Sequence, residues 1–240
     1  MLIDFYQRKN TPEIIDGNEY TVHEYLQWLK QLSVVNHLTQ SCRFTVQNIE
    51  QLLKTTKTTQ AITLLDLGCG GGDTIIEILR WNHKKKYPLR VMGLDNNPHC
   101  LDFLNKRLKQ ENLTAELILG DGLEFIKTHQ VDIVINSLFT HHLNDTQIVA
   151  LLAFMSNHVN LGFVINDLHR HWLPYLMVWA GSRLAGGNRL LKYDGPISVT
   201  RGFKKQEWLD YCTKANIPLK KIAISWHWSF RYSILYNNVV

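Results

Sequence analysis

Apolar residues along this 240-residue chain fall into two rhythms. Short aliphatic runs occupy residues 61–67, 89–94, 114–119, 131–135 and 161–168, and the first four end directly against Gly68, Asp95, Gly120 and Asn136. Runs this short and this continuous predict strands covered on both faces, as in parallel sheets. Between them the spacing becomes helical over residues 73–82, from Pro98 through Leu101, Leu104 and Leu108, and from the Asn144 cap to about Met155. A helix near residues 206–215 and two further strands at 221–227 and 230–236 follow. Strand and helix in alternation predict an α/β fold built on a doubly wound, mostly parallel sheet.

The flanks of this core read differently. Residues 1–60 show no strand alternation, and Thr21 with Glu24 forms a capping box ahead of Val22, Tyr25, Leu26, Leu29, Leu32 and Val35 at helical intervals. A second helix is expected over about 44–53, then a polar linker over 55–60, so residues 1–60 are an N-terminal helical extension to a domain at 61–240. The rhythm breaks again over about 169–204, an aromatic, partly helical, lid-like insertion in which Asp194-Gly195-Pro196 marks a turn running on to Arg201. Its apolar run is too short to cross a bilayer. It is read as an adaptable wall for a flat hydrophobic ligand, with a position on a membrane surface as the alternative.

Composition adds bounds. With 45% hydrophobic and 20% charged residues the chain is one globular domain with a small appended cap. The net charge of +5 is dispersed, and the runs Lys84-Lys85-Lys86, Lys204-Lys205 and Lys220-Lys221 read as solvated faces rather than a nucleic-acid patch. Cys42, Cys69, Cys100 and Cys212 have no paired metal-ligand spacing and are expected to be reduced thiols. The first nine residues lack the order of a secretory signal, so a cytoplasmic protein is expected.

The chemistry concentrates where residues 61–67 empty into Gly68-Cys69-Gly70-Gly71-Gly72-Asp73. Such a strand–turn–helix brings backbone amides to a bound molecule. A dinucleotide fingerprint starting at Gly68 would place Asp73 in its third glycine slot, a carboxylate against a pyrophosphate, whereas Asp66 suits a cationic ligand or hydrogen-bond donors. The pattern Asp66, Gly68, Gly70, Gly72 resembles the first motif of the class I S-adenosylmethionine (SAM)-dependent methyltransferases. Asp95 after the second strand lies at the carboxyl edge beside the turn, where a carboxylate accepts from vicinal ribose hydroxyls, and Asn96 supplements that grip or contacts adenine. The resemblance implies that Asp121 accepts from the adenine amine, that the Gly122 or Leu123 amide meets a ring nitrogen, and that Asn136 and Ser137 lie near the methionine part. It also implies a Rossmann-like, seven-stranded sheet with an antiparallel last strand, SAM as methyl donor and S-adenosyl-L-homocysteine (SAH) as product. A nucleotide-cofactor oxidoreductase and a non-catalytic methyltransferase-fold protein binding RNA or a protein partner remain the alternatives.

Methyl transfer needs alignment and water exclusion, and an oxygen acceptor gains from a nearby base. His141 and His142 stand just beyond the fourth strand and are the candidate bases, with packing or a metal site as the other readings; no metal is expected. Asn136 is not followed by the proline corner that presents a flipped base, so the partner is expected to be a small molecule, neither nucleic acid nor membrane lipid holding the chain inserted. The resemblance points to the quinone and natural-product branch and so to a small aromatic or hydrophobic acceptor, O-methylated by preference. Arg170, Trp172, Tyr175 and Arg201 are the candidate acceptor contacts.

Overall fold

The computed structural model describes residues 4–17, 19–56 and 60–239. Part of the linker expected over 55–60 lies outside the described residues. Helices α1 (Val22–Leu38) and α2 (Ser41–Lys54) precede the sheet. The Thr21 capping box forms as the sequence indicates, with the Thr21 side chain accepting from the Glu24 amide and the Glu24 carboxylate accepting from the Thr21 amide.

The core then alternates: β1 (Ile62–Leu67), α3 (Asp73–Lys85), β2 (Leu89–Asp95), α4 (Pro98–Gln110), β3 (Glu116–Leu119), α5 (Gly122–Thr128), β4 (Val131–Ser137), α6 (Asp145–His158) and β5 (Val159–Leu168). Two helices, α7 (Trp172–Leu184) and α8 (Arg189–Arg201), interrupt it before α9 (Lys205–Lys214), β6 (Ile222–His227) and β7 (Arg231–Asn237). The strands form one seven-stranded sheet in the order β3-β2-β1-β4-β5-β7-β6, with β7 antiparallel to its neighbours β5 and β6 and β1 to β5 mutually parallel.

Alternation along β1 explains both faces. Ile62 and Leu64 pack with Ile49 and Leu52 of α2, Ile75 and Ile78 of α3 and Leu104 of α4. Leu65 points the other way, into a cluster with Leu151 and Leu152 of α6 and Trp208 of α9. Asp66 shares the parity of Leu64 and therefore ends an apolar row, which is why its carboxylate is 2% exposed.

Three local readings change. The helix expected over 73–82 runs on to Lys85, where Lys84 and Lys85 oppose the negative helix end before Lys86 turns off at φ 62°. The short helix α5 was not anticipated; Asp121 starts it by accepting from the Glu124 amide at 3.0 Å. The expected turn at Asp194-Gly195-Pro196 is helix interior, with Asp194 and Pro196 buried and the Ser198 hydroxyl donating back to the Asp194 carbonyl at 2.9 Å.

Candidate active site

A cleft of about 1090 Å³ opens at the carboxyl edge of β1, β2, β3 and β4. Its floor is the glycine turn, with Gly68, Gly70 and Gly72 all at positive φ. Two of these have a visible steric reason as well: a Cβ on Gly68 would lie 2.5 Å from the Phe139 ring and one on Gly72 would lie 2.1 Å from Leu104 Cδ1. At Gly70 nothing lies within 4 Å, so its backbone faces open space.

Three carboxylates surround the turn, each handled differently. Asp73, at the start of α3, accepts from Arg107 at 2.6 Å, Ser33 at 2.7 Å and Asn36 at 2.9 Å, and so ties α1 and α4 to the turn. An anionic phosphate at this helix start would meet that carboxylate. Asp95 accepts from the Gly70 amide and the Asn97 amide, both at 2.9 Å, which pins β2 to the turn while leaving lone pairs for a ligand. Asp66 Oδ1 is buried and has no hydrogen-bond partner. Burial first, then the charges of Asp95 and Asp73, push its carboxyl up to about 8. An orphaned buried carboxylate facing the cleft fits a ligand that brings a cation.

The cleft brings together Asp66, Gly68, Cys69, Gly70, Gly72, Asp95, Asn96, Asp121, Gly122, Ser137 and His142. It leaves out the other candidates. Asn136 is fully buried behind the wall, its Oδ1 accepting from the Thr140 hydroxyl at 3.0 Å. His141 is buried against Asp167, with Nδ1 and Oδ1 2.8 Å apart. Burial alone would raise Asp167, yet the charge and hydrogen bond of His141, with backbone amides, hold it below the ordinary carboxylate range.

The two arginines expected to meet an acceptor are structural. Arg170 has no exposed surface and is spent on Glu207 at 2.6 Å, the Gly202 carbonyl at 2.6 Å and the Tyr6 carbonyl at 2.9 Å. Arg201 donates to the His141 and His142 carbonyls at 2.9 and 2.7 Å and to Asp16 at 2.5 Å. Trp172 points to solvent, and Tyr175 packs edge-on against Phe5, 5.6 Å between centroids. Neither lines the cleft.

Instead the opposite wall is N-terminal. Ile15, Asp16 and Gly17 line it, together with Leu29 and the stacked rings of Tyr20, Tyr25 and Trp28. Arg8 draws this segment down, donating to the carbonyls of Arg201, His141 and Leu143 at 2.8, 2.8 and 2.6 Å. Asp194 accepts the Ile14 amide at 2.7 Å. Asp16 Oδ1 then meets His142 Nδ1 at 2.6 Å, leaving Nε2 as the uncommitted ring nitrogen. Although burial opposes it, the hydrogen bond and charge of His142, the Glu13 amide and Arg201 hold Asp16 well below the ordinary carboxylate range. No local pattern announced Asp16, which is 126 residues from its partner. The only hint was an acidic residue ahead of Gly17 in a segment otherwise apolar around Ile14 and Ile15.

Glu13, His141 and His142 bring one ligand-capable atom each within 4.8 Å of one another. The same Glu13 Oε1 lies 3.6 Å from His141 Nε2 and 3.8 Å from Arg201 Nη1. That oxygen is buried without a hydrogen-bond partner, and burial pushes the Glu13 carboxyl up to about 7 against the opposing charges of His142 and Arg201.

Residues 64–162 match the family described as a methyltransferase domain. Among curated proteins no sequence matches the chain. Solved structures with the same fold include human N-acetylserotonin methyltransferase in complex with SAM, at 15% identity and a TM-score of 0.62 over 90% of this chain and 56% of that one. A putative O-methyltransferase from Nostoc punctiforme gives 12% and 0.62 over 89% and 59%. Magnesium protoporphyrin IX methyltransferase from Synechocystis with bound SAM gives 11% and 0.53 over 92% and 86%. The chain thus spans little more than half the length of the first two. The strand order and the glycine turn are those of the class I, Rossmann-like methyltransferase fold that these solved structures share, and the matched methyltransferase-domain segment spans the turn and the first four strands.

Proposed function

We propose that the chain transfers a methyl group from SAM to a hydroxyl of a small, apolar or aromatic acceptor, with His142 as general base and Asp16 as its positioning partner. The observation that carries this is the Asp16–His142 pair in the wall of the cleft that Ser137, Phe139 and Asp95 also line. The cleft volume suits two ligands side by side, since a single small-molecule site needs roughly 300–1,000 Å³.

The sulfonium of SAM supplies an activated methyl carbon whose bond to sulfur breaks as the acceptor oxygen bonds to it, the electron pair returning to sulfur. The chain's own residues do the rest. In this reading Asp95 and Asn96 would take the ribose, Asp121 and Gly122 the adenine, and Asp66 the ammonium of the methionine part. The backbone of Gly68 and Gly70 lets the nucleoside approach closely. His142 Nε2 takes the hydroxyl proton, and Asp16 keeps Nδ1 protonated, the tautomer that frees Nε2. Phe139, Leu143 and Ile15 supply apolar surface for the acceptor and exclude water.

The test is methyl transfer from labelled SAM to a panel of phenols by the wild type, His142→Ala and Asp16→Asn. General-base loss is expected to lower kcat by about 10²–10⁴-fold for His142→Ala, with SAH affinity unchanged. Asp16→Asn is expected to lower kcat less than His142→Ala does, since the amide oxygen can still accept from Nδ1 but carries no charge to stabilise the imidazolium. Unchanged turnover in both variants would remove His142 from the mechanism.

A further inference from the structure

Helix α7 is inverted: its apolar side faces solvent. At about 100° per residue, Trp179, Trp172, Leu176, Leu173, Leu184 and Met177 fall on one arc of about 160°. All are at least a third exposed, with Met177 at 59% and Leu184 at 89%. The opposite side holds Pro174 and Ser182, both buried, and Val178, which packs onto α8 at Gly195. The expected acceptor wall is therefore not formed, and the same side chains are left bare.

The patch continues onto the β6–β7 hairpin. His171 contacts both the Trp172 ring and the Phe230 ring at 5.6 Å, and Phe230 meets Trp226 edge-on at 5.9 Å. Trp226 and Trp228 are 51% and 58% exposed. Folded monomers rarely leave an apolar surface of this extent open without an occupant.

Charge selects the occupant. Residues 169–205 hold seven Lys and Arg against one acid, Asp194, and Asp194 is buried. Setting aside buried Arg170 and Arg201, and Arg189, which is paired with Glu24 at 3.1 Å, Arg183, Lys192, Lys204 and Lys205 remain at least partly open to solvent. Arg183 lies within the apolar arc itself, stacked 4.5 Å over Trp179. Tryptophan, leucine and methionine with cations beside them match the interface of an anionic bilayer, where the rings enter the headgroup region and the cations meet phosphates. A homodimer seam would instead place these like charges against their own copies across a two-fold.

We propose that the exposed face of α7, with Trp226 and Trp228, is a peripheral docking surface for an anionic lipid bilayer. Among the described residues no helix is long and apolar enough to cross a membrane, so attachment is interfacial. α7 leaves the carboxyl end of β5, so docking sets the cleft's edge of the sheet near the lipid.

The experiment is co-sedimentation of the full chain with vesicles of phosphatidylcholine containing phosphatidylserine, against pure phosphatidylcholine, for the wild type and for the triple variant Leu176→Ser, Met177→Ser, Leu184→Ser. SAH titration of both proteins checks that the fold and cofactor site are intact. The wild type is expected in the pellet with anionic vesicles only, its partition falling on the order of tenfold or more in the variant and with added salt. Wild type that stays in the supernatant, or a variant that pellets equally, overturns the proposal. So does sedimentation velocity showing a wild-type dimer that the variant abolishes, without vesicle binding. Because SAH binding is read separately, failure here leaves the methyl-transfer reading untouched.

Discussion

Asp66 sits at the end of an apolar row with one oxygen unpaired, and burial together with the neighbouring Asp95 and Asp73 charges pushes its carboxyl up to about 8. Because the folded value lies above the ordinary 3.8, the ligand-free fold favours the protonated acid and loses stability as pH climbs from 3.8 towards 8. An ammonium placed against Asp66 needs the carboxylate, so SAH binding below pH 8 is expected to release up to one proton and to tighten as pH rises to about 8. Titration calorimetry at pH 7 in buffers of different ionisation enthalpy counts that proton. Asp66→Asn is expected to bind weakly without the release; a wild type whose apparent enthalpy ignores the buffer would place the ammonium elsewhere.

Among the elements, the N-terminal segment owes its position to arginines that local sequence reading assigned to the acceptor. Arg170 is fully buried and joins the start of the chain to α9 through Glu207 and the Phe5 and Tyr6 carbonyls. Arg170→Leu would leave Glu207 and three carbonyls without that partner, and a loss of about 3–5 kcal/mol in urea unfolding is expected. Unchanged stability with a raised acceptor KM would return Arg170 to substrate binding. The strands were legible because parallel strands covered on both faces read as unbroken aliphatic runs, and β1, β2 and β4 carry such runs. The turn was legible because Gly68 and Gly72 cannot bear a Cβ beside Phe139 and Leu104. By contrast α8 was not, since Asp194-Gly195-Pro196 is turn chemistry locally, whereas in the fold Asp194 accepts the Ile14 amide and Leu190, Leu191, Pro196 and Val199 are buried along the helix. Asp16 was hidden for the same reason: its meaning depends on a partner in β4's exit loop, and no periodicity spans that distance.

At the scale of the molecule, one sheet edge gathers what the strands deliver singly. The turn after β1, Asp95 after β2, Asp121 after β3 and Ser137 after β4 all line one cleft, which the N-terminal helices close from the far side. That convergence is what the proposed function rests on: each proposed contact to nucleoside or acceptor comes from a different strand end, fixed by a shared core. It also explains why a glycine turn alone decides little, since Asp73 bound to Arg107 is as much a part of the site's charge pattern as the glycines. The measurement that bears most directly on this account is titration calorimetry of SAH into the wild type and Asp95→Ala, with NADP as the competing ligand. Saturable SAH binding is expected, weakened in the variant on the order of 2–4 kcal/mol by loss of the ribose acceptor, with no binding of NADP; no heat with SAH, equal affinity in the variant, or saturable NADP binding would contradict it.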